Sequence, residues 1–578
     1  MEECTHPQEE DVEARVDRQL LYPVDTSPPL PSLLINGLQQ AFQVITGSLP
    51  AAVLIASLIG AGEEYGVRAE LLSVCLFTSG VATFLQISVG CRLPVIEGPS
   101  GTLLVGIVAI VSDPKLSDAA LREGRAGNDT TIVPWKIRMT EIQGNVMLAS
   151  GVEFLLGMSG MLGFLLRFIG PLTVAPCVTV LGVTLCQYMI PLCEQHWGIA
   201  SLTTLLAILF ALFLVNVKTP FLTINHGKCS VSRHPLFQLN AIILAVAVSW
   251  ITCHVLTVTN TLPSNSTIYG HMARTDVRLG VLYDAPWFFL PSPFPYGLPT
   301  ISSTGLTAMI TVILVSIITM PGNYSAVSRV VQMPHLPAHA INRGIAVQGF
   351  NGVVSGMLGG VMSNMTYVQS LGVIAVTKVA SLRVFVTAAL ILVVGGVVGK
   401  VGAVFTIIPD PVVGGVNLVA MSTVTAVGVS MLKSVDLSSS RNLLILGMSI
   451  SLGLLLPEWM ASNKDFINTG SQGFDQVMTV LLSNPMFVSS VLGCVLDNLA
   501  AGTLEERGMT HRDDTGPCDS HVTKHDPYGL PYVTSFIERL GCCSFFPLSP
   551  TYDKEITCTR CDRRTLKTIL VERIKSHE

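Results

Sequence analysis

The stretch "RLPVIEGPSGTLL", residues 92–104, places a carboxylate, two glycines and two prolines directly before an apolar run. A second stretch, "MSNMTYVQSLGVIAV" (362–376), is equally short and places Gln369 and Gly372 before its own apolar run. Broken apolar segments at matching positions in the two halves of a chain are typical of a transporter binding site. The half-helix N-termini at such breaks present N–H groups to a polar substrate.

A third interruption lies in "SIITMPGNYSAVSRV" (316–330), which follows a long apolar run. Proline removes a backbone hydrogen bond from a helix, and lipid offers no water to replace it. We therefore expect "TMPGN" (319–323) to break this span and to face protein or a water-filled cavity beside the other two breaks. A simple helix kink at Pro321 is the alternative.

The composition indicates a polytopic membrane protein. Of the 578 residues 49% are hydrophobic and 13% are charged, and the mean hydropathy is +0.57. Soluble domains carry about 25% charged residues. The net charge of -5 is close to neutral for this length and gives no sign of a nucleic-acid partner. The first thirty residues contain no apolar run, so no cleavable signal peptide is expected.

Fourteen apolar runs are candidate membrane spans, although several are shorter than the roughly 20 residues that a span needs. They lie near 33–59, 71–90, 93–111, 145–167, 170–191, 198–216, 238–258, 304–331, 343–360, 361–377, 384–400, 411–432, 443–457 and 476–496. Seven end near residue 258 and seven follow. Because the number in each half is odd, the two repeats must be inverted relative to each other.

Charge in the short loops sets the orientation. Basic residues in 217–237, 328–344 and 377–383 indicate cytoplasmic loops. Both termini are then cytoplasmic, and the sequons at Asn128 and Asn265 lie outside, where we expect glycans. We expect a cytoplasmic tail over 1–30, a transmembrane domain over 31–500, a second cytoplasmic tail over 501–578, and a plasma-membrane location.

Chemistry other than transport finds little support. No nucleophile–base pair or metal-ligand cluster lies near the breaks, so we expect no enzyme activity and no cofactor. In the C-terminal tail, "CTRC" (558–561) and Cys542-Cys543 fit a zinc site poorly, because zinc wants two cysteine pairs at a defined spacing. Palmitoylation is the better interpretation of these cysteines.

Several strings, in order along residues 30 to 510, resemble the nucleobase–ascorbate transporter family of solute carrier family 23. The second half contains "HAINRGI" (339–345), "GVIAVTKV" (372–379), "PDPVVGGV" (409–416), "SSSRNLLILG" (438–447), "FINTG" (466–470) and "LEERG" (504–508). The first half adds "IGPLTVAP" (169–176), "HWGIA" (196–200) and "ARTD" (273–276).

The resemblance implies an all-α polytopic fold of fourteen segments in two inverted seven-segment repeats. Spans 1–4 and 8–11 would form a core domain, and spans 5–7 and 12–14 a gate domain that dimerises. Short strand-like pieces of spans 3 and 10 would cross at the midplane. Substrate would bind between the domains, and the core would move against the gate as an elevator.

The sequence departs from the family at the site positions. Thr319 and Asn323 stand where the family usually has acidic residues, Gln40 where a histidine is common, and Ser370 where an asparagine is usual. An intramembrane carboxylate is costly and is kept for ion or proton coupling. Its loss makes Na⁺ coupling doubtful unless Glu97 substitutes for it.

The site prediction combines the three breaks. The candidate substrate-binding residues are Glu97, Gly98, Pro99, Ser100, Thr319, Met320, Asn323, Thr366, Gln369 and Ser370. The candidate ion-coupling residues are Gln40, Asn323 and Glu97. Glu153 is interpreted mainly as a structural partner within the core domain.

Two functions remain open. The first is a secondary-active transporter of a small polar organic solute, a nucleobase or an ascorbate-like anion, working as a homodimer. The alternative is a diverged member without Na⁺-coupled transport, acting as a facilitator or as a membrane binding or regulatory protein.

Overall fold

The computed structural model describes residues 20–62, 64–99, 101–116, 134–160, 168, 170–214, 217, 219–225, 228–234, 236–265, 267–334, 336–367, 370, 373–374, 377–463, 466–470, 472–503, 506–507, 527–530 and 547–549. The helices of the first half are α1 (Leu30–Leu58), α2 (Tyr65–Ser88), α3 (Thr102–Val111), α4 (Pro134–Ser159), α5 (Pro171–Gln187), α6 (Ile190–Glu194), α7 (Trp197–Ile208) and α8 (Leu236–Val258). After α9 (Leu279–Asp284), the second half has α10 (Ser303–Val330), α11 (Ala338–Met357), α12 (Leu382–Val397), α13 (Gly399–Thr406), α14 (Asp410–Ser430), α15 (Ser440–Ser462), α16 (Gln472–Leu482) and α17 (Pro485–Leu499).

Four short strands accompany the helices. They are β1 (Glu97–Pro99), β2 (Thr219–Asn225), β3 (Lys228–His234) and β4 (Asn364–Thr366). The predicted strand-like pieces of spans 3 and 10 are confirmed as β1 and β4, which pair antiparallel with each other. The hairpin of β2 and β3 lies in the segment 217–237, where the sequence predicted only a loop.

Prolines set the beginnings of several helices. α1, α5, α14 and α17 each carry a proline in their first two positions, where the missing N–H costs nothing and the fixed φ suits a helix. Asn484 also caps α17, because its side-chain oxygen accepts from the N–H groups of Met486 and Phe487 at 3.1 and 3.2 Å.

The predicted break of span 8 is wrong. α10 is one continuous helix of 28 residues, and Pro321 lies inside it. Pro50, Pro176 and Pro457 likewise lie inside α1, α5 and α15. Membrane helices tolerate interior proline because neighbouring helices and Ser or Thr side chains satisfy the backbone groups that it leaves.

Other boundaries also move. Span 4, predicted at 145–167, is α4 and begins at Pro134. Span 11, predicted at 384–400, ends at Val397, where α13 turns away by 84°. Span 14 consists of two helices, α16 and α17. Among the described residues seven helices are long and apolar enough to cross a membrane, or eight if α12 and α13 form one span.

The helices pack as two groups. The first group is α1 to α4 and α10 to α12 with β1 and β4, and its tightest pairs are α4 with α11 and α2 with α12. The second group is α5, α7, α8 and α14 to α17, with α14 and α17 packed on α5. The pairs α4–α11 and α2–α12 are mates under an exchange of the two halves, as inverted repeats require.

An N-terminal segment joins the first group. The N–H of Leu21 donates to the Lys378 carbonyl at 2.8 Å, and the N–H of Ala380 donates to the Tyr22 carbonyl at 2.9 Å. The N–H of Leu382 then donates to the Val24 carbonyl at 3.1 Å. This ladder attaches the residues ahead of α1 to the connection between β4 and α12.

Candidate functional site

The strands β1 and β4 bring two of the predicted breaks into contact. Glu97 stands opposite Thr366, and Pro99 stands opposite Asn364. The Thr366 hydroxyl donates to Glu97 Oε1 at 2.6 Å. The N–H of Glu97 donates to the hydroxyl of Thr83 in α2 at 2.9 Å. Two strands of three residues therefore cross inside the first group, and Glu97 is 2% exposed at that crossing.

Tyr367 fills the space beside the strands and was missed by the sequence reasoning. A Cβ atom at Gly98 would lie 2.6 Å from Cζ of the Tyr367 ring, and one at Gly47 in α1 would lie 2.7 Å from its hydroxyl oxygen. The ring is accommodated because both positions lack a side chain. The hydroxyl donates to the Pro99 carbonyl at 3.3 Å. An aromatic residue inside a broken span, with glycines in two neighbouring spans, was the available signal.

The α10 residues of the prediction lie on a buried helix face. Thr319, Met320 and Asn323 are 3%, 0% and 4% exposed. The Thr319 hydroxyl is used within the helix, where it donates to the Ser316 carbonyl at 3.0 Å. α10 contacts β4, and its Tyr324 lies within hydrogen-bonding reach of the Thr366 side chain.

Two carboxylates are buried in the first group without a basic ion-pair partner among the described residues. One is Glu97 and the other is Glu153 in α4, which is 0% exposed. The amide nitrogen of Gln348 donates to Glu153 Oε1 at 2.9 Å and to the Ser316 hydroxyl at 3.0 Å. Glu153 thus links α4 to α11 and α10, which agrees with a structural role.

Of the remaining predicted residues, some are placed by the structure and others lie outside the described part of the chain. Ser370 lies beside the crossing, and its hydroxyl donates to the Tyr367 carbonyl at 2.7 Å. Gln40 is buried in α1, and its side-chain oxygen has no hydrogen-bond partner among the described residues. Ser100, Gln369 and the sequon residue Asn128 lie outside the described residues. Asn265 is described and exposed, and its side-chain oxygen accepts from Thr267.

The cavity between the two groups lies away from the strand crossing. It has a volume of about 1030 Å³ and is bounded by α3 and α10 on one side and by α5, α15 and α16 on the other. None of the predicted site residues that the structure describes lines it. Its lining includes the carboxylates of Asp113, Glu458 and Asp475 and contains no lysine or arginine among the described residues.

A buried ion cluster, which the sequence reasoning did not predict, joins the two groups. Asp410 at the start of α14 accepts from Arg68 of α2 at 3.3 Å and from Arg278 at 2.5 Å. Arg278 also donates to the carbonyls of Thr406 and Ile408 at 3.4 and 3.2 Å. All three charged side chains are at most 6% exposed. Within the described part of the chain, no group of His, Cys, Asp and Glu could hold a metal ion.

Comparison with known proteins gives consistent matches. The Permease family profile matches residues 31–462. Solute carrier family 23 member 2 of Homo sapiens is 37% identical over 539 residues, which is 92% of this chain and 83% of that protein. Member 1 of Rattus norvegicus is 34% identical over 555 residues, 95% of this chain and 92% of that protein. Nucleobase-ascorbate transporter 1 of Arabidopsis thaliana is 30% identical over 516 residues, 88% of this chain and 94% of that protein.

Two solved structures also align. The transmembrane domain of the cyanobacterium bicarbonate transporter BicA covers 78% of this chain and 97% of its own, with 15% identity and a TM-score of 0.41. The murine anion transporter Slc26a9, in the inward-facing state, covers 84% of this chain and 72% of its own, with 12% identity and a TM-score of 0.43.

Proposed function

This chain belongs to the Permease family, together with the solute carrier family 23 and nucleobase-ascorbate transporters, and is therefore a membrane transporter; we propose that it moves a small polar organic solute of the nucleobase or ascorbate type. The observation that carries the proposal is the buried crossing of β1 and β4, where Glu97 and Thr366 meet. Irregular backbone at membrane depth is tolerated where it is enclosed by protein or lines a cavity.

The mechanism we propose is an elevator. The first helix group would be the moving core, made of spans 1–4 and 8–11, and the second group would be the gate, made of spans 5–7 and 12–14. Support comes from the packing, because contacts between the groups are confined mainly to α10 against α5, α16 and α17, to α14 against α1, and to the ion cluster around Asp410. A narrow interface of this kind is compatible with sliding of one packed body past another.

Between the two substrate types, the charges favour a neutral ring such as a nucleobase. Ascorbate is an anion at neutral pH, whereas the cavity between the groups carries three carboxylates and the strand crossing carries Glu97. Burying an anion without a paired cation is strongly unfavourable. A neutral nucleobase can instead exchange hydrogen bonds with Glu97, Thr366 and backbone N–H groups.

Sodium coupling should be weak in this chain. Thr319 and Asn323 can offer oxygen ligands but no negative charge to a cation, and Glu97 is the acid nearest the strands. An enclosed cation that lacks enough negative charge is strongly disfavoured. Restoring acids with Thr319→Glu and Asn323→Asp together should therefore restore part of a Na⁺ dependence.

The deciding experiment is uptake into vesicles that contain the purified protein. Labelled nucleobases and labelled ascorbate are tested separately, with Na⁺ or with choline in its place, in the natural protein and in the double variant. We expect nucleobase uptake that choline barely changes. A steep Na⁺ requirement in the natural protein would show that coupling uses residues other than Thr319 and Asn323. Specific binding without uptake would favour the alternative, a membrane binding or regulatory protein.

We further propose a plasma-membrane homodimer formed through the second group, with both termini cytoplasmic. Large apolar side chains of that group are widely exposed, including Ile251 at 63%, Val258 at 67% and Leu444 at 66%. Such a surface faces lipid or a second copy of the chain. Cross-linking in native membranes checks the assembly, and a species that remains monomeric at high expression contradicts it.

A further inference from the structure

A short piece of the C-terminal region is inserted into the first helix group. Tyr528 is 1% exposed, although it follows the last helix by many residues. Its hydroxyl donates to the carbonyl of Pro334, in the turn between α10 and α11, at 2.5 Å. The guanidinium of Arg343 in α11 donates to the carbonyl of Tyr528 at 2.6 Å. Both the side chain and the backbone of Tyr528 are therefore hydrogen-bonded to the first group.

A second contact lies beside the first. The side-chain amide of Asn342 donates to the carbonyl of Pro547 at 3.2 Å. Gly160, just after α4, has a φ of +72°, and a Cβ atom there would lie 2.5 Å from Cβ of Pro547. Position 160 requires glycine for two reasons: its backbone is left-handed, and Pro547 occupies the space that a side chain would need. Ser549 is also buried, at 2% exposed.

Every receptor residue of these contacts belongs to the first group. Arg343 is 3% exposed and also donates to the carbonyl of Gly90, in the connection from α2 to β1, at 2.9 Å. A buried guanidinium carries five donors and needs several acceptors. The carbonyl of Tyr528 is one of these acceptors and the carbonyl of Gly90 is another. Arg343 therefore holds the tail and the connection from α2 to β1 at the same point.

The chain reaches this site from the second group. Arg507 pairs with Asp497 of α17 at 3.0 Å, and Asp497 also accepts from Arg441 of α15 at 3.0 Å. Nineteen residues, 508–526, then separate Arg507 from Pro527. A chain of that length can reach at most roughly 65 Å.

We propose that the first group carries a docking surface for this chain's own C-terminal segment, residues 527–530 and 547–549, and that the segment stays on the first group as a strap while the groups move. The surface is formed by Gly160, Pro334, Asn342 and Arg343. Its chemistry suits a peptide that offers two backbone carbonyls, an aromatic ring and a proline, and the tail supplies all of these.

The first test is a double-mutant cycle in the full-length protein, read as the midpoint of thermal unfolding in detergent. Tyr528→Ala and Arg343→Met should each lower the midpoint. The midpoint of the double variant should be no lower than that of whichever single variant has the lower midpoint. The control is Arg383→Met, which removes an exposed arginine that donates to the Ser27 hydroxyl, and its effect should add to that of Tyr528→Ala.

Strictly additive effects of Tyr528→Ala and Arg343→Met, or an unchanged midpoint in Tyr528→Ala, would overturn the proposal. If Tyr528→Ala does not fold, Tyr528→Phe keeps the ring and removes only the hydroxyl donor, so a smaller shift is expected.

The second test places a photoreactive amino acid at position 530 of the full-length chain. Cross-links should map to peptides that contain Pro334 to Arg343, and cross-links confined to the second group would contradict docking. Neither test reads uptake, so their failure is separate from failure of the transport proposal.

Discussion

Removing the charge of Asp410 should destabilise the protein more than any other single change in the buried ion cluster. The substitution Asp410→Asn keeps the shape of the side chain but leaves Arg68 and Arg278 buried without their shared carboxylate. Breaking a buried ion pair by removing one partner costs about 3–5 kcal/mol. At about 1.4 kcal/mol for each factor of ten, the folded-to-unfolded ratio should fall by at least roughly a hundredfold.

The distances also predict an order among the variants. Arg278→Met removes the closer partner of Asp410, at 2.5 Å, together with two bonds to carbonyls, whereas Arg68→Met removes the partner at 3.3 Å. We therefore expect Asp410→Asn to have the largest effect, Arg278→Met an intermediate effect and Arg68→Met the smallest effect. Each arginine variant leaves Asp410 with one partner.

The assay follows the fraction of monodisperse protein after heating in detergent. Large domains shift by about 2 °C per kcal/mol, so the midpoint of Asp410→Asn should fall by roughly 6–10 °C. The matched control is Asp436→Asn, whose exposed carboxylate accepts from Ser438 and, within the described part of the chain, from no other residue. Equal shifts in Asp410→Asn and Asp436→Asn, or Arg68→Met as the most damaging change, would refute the reasoning.

Three further predictions concern the site and the orientation. Glu97→Gln should keep the hydrogen bond from Thr366 through its amide oxygen but should remove the negative charge beside the strands, so that any Na⁺ dependence of uptake falls further; vesicle uptake with Na⁺ or choline checks this, and a Na⁺ response equal to that of the natural protein would exclude Glu97 from coupling. Gly98→Ala should overpack the Tyr367 ring, costing about 1–3 kcal/mol, and should lower the yield of folded protein, whereas Gly66→Ala, which enters open space, should not. Asn265→Gln should remove a glycan and increase gel mobility, and unchanged mobility in Asn265→Gln would count against placing that loop outside.

The breaks in spans 3 and 10 were predictable because glycine, proline and polar residues within short apolar runs are local features. The same local rule failed at Pro321. The rule predicted that the helix ends at this proline, whereas packing inside a membrane protein allows α10 to continue through it. Local pattern therefore located the breaks that contain β1 and β4, whose strand character was implied by the family resemblance, but it misjudged α10.

Long-range partnerships were beyond the reach of a single sequence. Arg68 and Asp410 are 342 residues apart, and the Tyr367 ring depends on glycines in two other segments. Charged residues near span ends are common, so neither Arg68 nor Asp410 stands out in the sequence. The contact of Glu97 with Thr366 could be anticipated only as a meeting of two breaks, and the register of the pair required the structure.

The backbone ladder between residues 21–24 and 378–382 has a practical consequence for labelling. It places residues 21–24 on the first helix group, and the strap contacts the same group near the other terminus. Fluorophores fused close to these two ends would travel together and report an almost constant separation during a transport cycle. To measure motion between the groups, one dye should be placed beside the strap and the other on α15 or α17. An N-terminal tag should leave residues 20–26 intact.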